Sequence, residues 1–179
     1  DLYFDRHDGQ AVTCDDFVAA MEAVSGYDLS QFKRWYSQSG TPVVTAATDY
    51  DKEQRTLTLM LTQSCPATPG QPTKQPFDIP MLMGLVGAKN TLPIISNSEG
   101  VEVRSSTEVL LRLTQSEQRF VFEQVDEPAI ASLLRGFSAP VRCNQSLTVD
   151  QLVTLICNES DGFLRWDALQ TLAVQAIEE

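Results

Sequence analysis

His7 is the only histidine of the chain, and Asp5 and Asp8 flank it. An imidazole with carboxylates can bind zinc, but such a centre needs three or four converging ligands. With one histidine a His-Glu-x-x-His zinc motif is impossible, and any nucleophile–histidine dyad would have to run through His7. A lone histidine beside Asp8-Gly9, where a helix should stop, reads as an exposed or locally bonded residue. Asp49, Asp51 and Glu53 alternate like the opening of a calcium loop. Gln54, however, stands where that loop needs glycine, and Met60 where it needs its last acid. These acids read as a charged hairpin tip. Cys14, Cys65, Cys143 and Cys157 form no short metal-type pair, and the glycines never cluster into a phosphate cradle. Trp35, Tyr36 and Trp166 sit at helical spacing, Met81 and Met83 at strand spacing, which favours core packing over ligand stacking. The residues nominate no catalytic, cofactor-binding or metal-binding position.

Charge narrows the partners. The formal net charge is -11, and it is uneven: residues 1–40 hold seven acids and three bases, 41–142 eleven and nine, 143–179 six and one. No basic stripe exists to neutralise phosphates, which argues against nucleic acid, and an acidic surface is repelled by anionic lipid. No apolar run approaches the ~18 residues of a membrane span, and no basic-then-apolar leader opens the sequence. The even cysteine count permits two disulfides, but a chain of 179 residues can fold without them. Four reduced thiols in a reducing compartment are expected. The glycosylation-type triplets at Asn144 and Asn158 are chance matches, the second inside an expected helix.

Thr41 to Arg142 carries the strand signal. Apolar residues recur at every second position in Leu57, Leu59, Leu61; in Ile79, Met81, Met83, Leu85; in Val109, Leu111, Leu113; and in Phe120, Phe122. Period two puts each set on one face of a sheet, and several such runs between turns predict a sandwich. Expected strands run from Pro42 to Thr48 and Arg55 to Gln63 as a hairpin, then from Asp78 to Val86. Short strands follow at Ile94-Ile95 and Val101–Val103. A second hairpin is expected to join 106–114 to 118–125 through Gln115–Glu117, and an edge strand to close the sheet between Ile130 and Ser138. The proline-rich stretch 65–76 is a loop.

Helices flank this stretch. Residues 1–6 read as a last helical turn. Thr13 offers an N-cap to a helix whose apolar face is Phe17, Ala20, Met21 and Val24, ended by Gly26. A short helix from Leu29 to Ser37 presents Phe32, Trp35 and Tyr36. Beyond the strands, Thr148 and Gln151 form a capping box before Leu152, Leu155 and Ile156. Phe163, Trp166, Leu169, Leu172, Ala173, Ala176 and Ile177 then keep helical spacing to the end. The chain reads as cut at both ends. Self-association through the exposed helical ends is expected, unless their apolar faces fold back on the sandwich.

The run His7 to Phe17 and the run Asp28 to Pro42 resemble the bacterial aminopeptidase N family, the alanyl aminopeptidases of the zinc-dependent gluzincin class. So do Gln75-Pro-Phe77, the strand Gln118–Val125, Phe137–Val141 and Arg165–Ala168. The resemblance covers essentially the whole chain. It implies that residues 1–40 are the last helices of a catalytic domain, 41–142 an immunoglobulin- or fibronectin-like β-sandwich, and 143–179 the first helices of a C-terminal helical domain. It also implies that the zinc helix, its distal glutamate, the catalytic tyrosine and the Gly-x-Met-Glu-Asn segment lie upstream. Ala19–Ala23 lacks the glycine and asparagine of that last motif, so no catalytic residue is carried over. The expectation is a noncatalytic spacer fragment of a cytoplasmic zinc aminopeptidase, with zinc in the parent and none here. Its partners would be the other domains of the same chain, and it would meet peptide substrates only through them. The competing reading is an independent sandwich that binds protein or carbohydrate; it calls for a signal peptide, a disulfide pattern and aromatics exposed on one sheet face.

Overall fold

The computed structural model describes residues 1–178. Two sheets face each other. The first has the order β7-β2-β1-β9, where β1 is Val43–Asp51, β2 Thr56–Ser64, β7 Glu117–Phe122 and β9 Arg142–Gln145. The second has the order β4-β3-β6-β5, with β8 added to β3; here β3 is Ile79–Val86, β4 Thr91–Leu92, β5 Val101–Ser105, β6 Glu108–Leu113 and β8 Ile130–Leu133. The period-two residues all point inward. Leu57, Leu59 and Leu61 on β2 face the same core as Met81, Met83, Leu111 and Leu113, and each is buried. Register aligns them across strands: Leu59 lies opposite Phe120 in one sheet, Met81 opposite Leu111 in the other. Strand alternation alone dictates this, because a one-residue slip would turn every inward side chain to solvent. The fold is an immunoglobulin-like β-sandwich with short helical segments at both ends.

Pairing corrects several expectations. The strands at 108–113 and 117–122 are not a hairpin. β6 pairs with β3 and β5, while β7 pairs with β2, so Thr114–Ser116 carries the chain from one sheet to the other. A short polar linker suits either course, and only the partner strands distinguish them. The buried Gln63 marks the crossing. Its Nε2 donates to the carbonyls of Phe77 at 2.9 Å and Gln115 at 3.0 Å, and its Oε1 accepts from the Phe77 amide at 2.7 Å. Ile94-Ile95 is not a strand; Ile95 makes one isolated bridge to Glu123, and the strand lies upstream at Thr91–Leu92. The stretch 130–138 is strand only as far as Leu133, then bends into a 3-10 turn, Arg135–Phe137. β9 pairs parallel to β1 and carries the first sheet past Arg142 to Gln145. Its Arg-Cys-Asn-Gln sequence has no apolar alternation to announce it.

The helices are α1 (Leu2–His7), α2 (Cys14–Ser25), α3 (Arg34–Ser37), α4 (Val149–Asn158) and α5 (Gly162–Glu178). Caps fall where the side chains predict: Thr13 with Asp16, and Thr148 with Gln151, each form a reciprocal capping box. Gly26 ends α2 in the left-handed conformation. The expected helix 29–37 shrinks to α3 preceded by turns. On α2 the stripe of Phe17, Met21 and Val24 is exposed, and Val18 and Ala20 take the buried places. On α5, Trp166, Leu169 and Ile177 are exposed while Ala168 is buried. Apolar spacing finds a face but not what covers it. All four cysteines are free, and among the described residues no helix is long and apolar enough to cross a membrane.

Candidate functional site

The side chains weighed for chemistry are scattered. His7 ends α1, with its ring 5.5 Å from Tyr3. Asp51 Oδ1 accepts from the amides of Glu53 at 2.8 Å and Gln54 at 2.9 Å, which makes the acidic triplet a hairpin turn. Trp35 packs on Phe77, and Trp166 lies exposed beside Phe163. Among the described residues no three His, Cys, Asp or Glu side chains converge to hold a metal.

Polar side chains concentrate instead where the helical flanks meet the sandwich. On the N-terminal side, the segment 27–37 is pinned to the end of β3 and to the crossing at Thr114. Gln31 Nε2 donates to Thr114 O at 2.6 Å and Pro76 O at 3.2 Å, and Arg34 also donates to Pro76 O. Trp35 Nε1 donates to Asp78 O at 2.9 Å, with its ring 4.7 Å from Phe77. The Arg112 guanidinium pairs with the buried Asp78 carboxylate and lies 5.5 Å from the centre of the Tyr27 ring. The hydrogen bond to Asp78 raises the Arg112 pKa further. Lys74 adds a clasp, donating to Ser39 O at 2.8 Å and Thr68 Oγ1 at 2.7 Å, which ties the 65–76 loop to the start of β1. None of these bonds is visible in spacing, since their partners are mostly backbone carbonyls far along the chain.

On the C-terminal side the centre is Arg135, 4 % exposed, with Glu159, 3 % exposed. Arg135 Nη2 lies 3.0 Å from the Glu159 carboxylate, and Nη1 donates to Thr107 O at 3.2 Å, with Glu108 at 3.8 Å. Burial pushes the Glu159 carboxyl up, but Ser132, the Asp161 amide and Arg135 together outweigh it and hold the group below its ordinary value. Asp161 Oδ1 caps α5 by accepting from Phe163 and Leu164, each at 3.0 Å, while Oδ2 accepts from Gly136 at 2.9 Å. Between β8, β9 and α5 lies a cleft of about 830 Å³. It is lined by Cys143, whose thiol is pushed up to about 11 by burial and by Asp167. An isolated buried ion pair is a poor source of stability but fixes the arrangement of what it joins. Chemically these two junctions orient chain segments.

Comparison with known proteins places the chain among Ig-like domains of larger aminopeptidases. Residues 40–146 match the family described as "Domain of unknown function (DUF3458) Ig-like fold". The chain is 46% identical over 177 residues to the aminopeptidase N of Escherichia coli (strain K12), covering 99% of this chain and 20% of that protein. It is 43% identical over 173 residues to the aminopeptidase N of Caulobacter vibrioides, covering 97% and 19%. The crystal structure of Legionella pneumophila aminopeptidase A in complex with aspartic acid superposes with a TM-score of 0.76 at 29% identity, over 95% of this chain and 18% of that one. The chain thus spans about a fifth of the length of the curated relatives it matches.

Proposed function

The chain belongs to the DUF3458 family of Ig-like domains, and from that premise we propose that it is a noncatalytic, spacing part of a zinc metallo-aminopeptidase whose full-length form removes N-terminal amino acids from peptides. Residues 1–40 would close the catalytic domain, the sandwich would run through Gln145, and the helices after it would open a C-terminal helical domain. The observation that carries this reading is the match of nearly the whole chain to one fifth of each aminopeptidase N relative. The polar staples at both ends support it, because a spacer must hold its neighbours at fixed angles rather than on a string. Four free thiols fit a reducing compartment, and we place the parent in the cytoplasm.

The 179-residue chain is expected neither to keep stoichiometric zinc through dialysis nor to release amino acids from chromogenic aminoacyl substrates. A longer product of the same gene, with a His-Glu-x-x-His segment upstream, should do both. Chelator-sensitive turnover by the 179-residue chain, or a coding region without that segment, would overturn the reading.

A further inference from the structure

The four-residue turn Leu134–Phe137 holds three residues in the left-handed region: Leu134 at φ 64°, Gly136 at φ 60° and Phe137 at φ 53°. Glycine takes that conformation freely, but for bulky side chains such as Leu and Phe it is costly and persists only where surroundings impose it. Each residue after Leu134 grips the helical pair. Arg135 reaches the Glu159 carboxylate at the end of α4, the Gly136 amide donates to Asp161 at the start of α5, and the Phe137 ring lies 4.0 Å from that of Phe163. Room for the buried guanidinium comes from Gly84 on β3, where an added Cβ would overlap it. Phe137 is otherwise exposed; the remaining holds are its own amide, which donates to Leu134 O at 3.1 Å, and Ser138 Oγ, which accepts from the Leu82 amide at 2.9 Å. The apolar seam between sandwich and helices joins Val86 and Ile130 on one side to Leu152, Leu155 and Ala168 on the other, with Leu147, Ile156 and Leu172 at its margin.

We propose that Leu134–Phe137 is a strained latch: its left-handed backbone is held by the docked α4–α5 pair, and undocking of the pair and relaxation of the turn are one coupled step. The proposal is independent of the aminopeptidase reading, since it concerns only contacts within this chain.

Residue-resolved native-state hydrogen exchange on the whole chain tests it. Breaking the pair with Arg135→Ala or, keeping the shape, with Glu159→Gln should accelerate exchange across α4 and α5 by ~100-fold or more. Leu59 and Met83 in the sandwich should stay within ~3-fold, and the carbon shifts of Leu134 and Phe137 should leave left-handed values together with the helices. A second comparison isolates the strain. Phe137→Gly and Phe137→Ala both remove the ring, but only glycine is at ease left-handed, so α4–α5 should be about 2–5-fold better protected in the glycine variant. Unchanged helix protection, an equal loss in sandwich and helices, helices freed with the turn still left-handed, or no advantage of glycine would each overturn the latch.

Discussion

At the scale of single residues, the two sides of one strand behave oppositely. Phe120 and Phe122 on β7 are wholly buried, while Glu123 just beyond them is exposed. Truncating a buried phenylalanine costs about 3–5 kcal/mol, against under ~0.5 kcal/mol at an exposed polar site. Phe120→Ala should therefore lower the urea midpoint far more than Glu123→Ala; equal shifts would mean that β7 is in another register. Cysteines divide in the same way. Cys14 and Cys157 are exposed, whereas burial lifts the Cys143 thiol from 9.0 to about 11. The thiolate is the reactive form, so at pH 8 Cys143 should alkylate roughly 10–100-fold more slowly than Cys14. Mass-resolved alkylation with iodoacetamide measures the ratio, and equal rates would place Cys143 at the surface. The alternation that buries Phe120 is legible in the sequence. The shielding of Cys143 is not, because it depends on β9 packing against the closed sandwich core.

At the scale of elements, the sandwich depends on how the chain passes from β6 to β7. Gln63 belongs to β2 of the first sheet, yet its amide bonds Leu113 of the second, Phe77 just before β3, and Gln115 in the crossing. Replacing it with leucine would strand the buried Phe77 amide, which costs about 1–3 kcal/mol for each unpaired group. Gln63→Leu should destabilise the fold by that amount or more, although leucine is the more apolar residue. A neutral or stabilising result by urea titration would show that the staple is dispensable. The misplaced hairpin has the same origin. Strand lengths and inward residues at 108–113 and 117–122 are clear in the sequence, but alternation is identical for neighbours in one sheet and for strands in opposite sheets. The choice is made by partners 61 and 34 residues away, with Leu59 opposite Phe120 and Ile79 opposite Leu113. The staples of Gln31, Arg34 and Trp35 are hidden for a similar reason, since a backbone carbonyl carries no residue-type signal.

For the whole molecule, the open question is what covers the apolar faces. Phe17, Met21 and Val24 on α2 are exposed, and with Tyr3 and Tyr27 they line an open apolar groove with a volume of about 560 Å³. Phe163, Trp166 and Leu169 on α5 are exposed as well. Contiguous apolar patches of several hundred Å² are uncommon on soluble monomers. The 179-residue chain should therefore self-associate as concentration rises. Trp166→Glu with Leu169→Glu, or Met21→Glu with Val24→Glu, should shift it toward monomer, depending on which face is responsible. Sedimentation velocity over a concentration series decides: a strict monomer at all concentrations would show that the exposed stripes are tolerated.

By itself the sequence determined the β-sandwich, the residues of its core, and the capped starts of α2 and α4. Each of these rests on periods, caps and residue types within a few positions of one another, where local geometry leaves little choice. Tertiary structure alone decided which sheet each strand joins, that polar Arg142–Gln145 pairs with β1, that Arg135 is buried against Glu159, and that the helical stripes face outward. Those outcomes turn on pairing and packing between distant segments. A guanidinium at position 135 has the same local signal whether it waves in water or lies across Gly84, and only the closed sandwich with its docked helices separates the two.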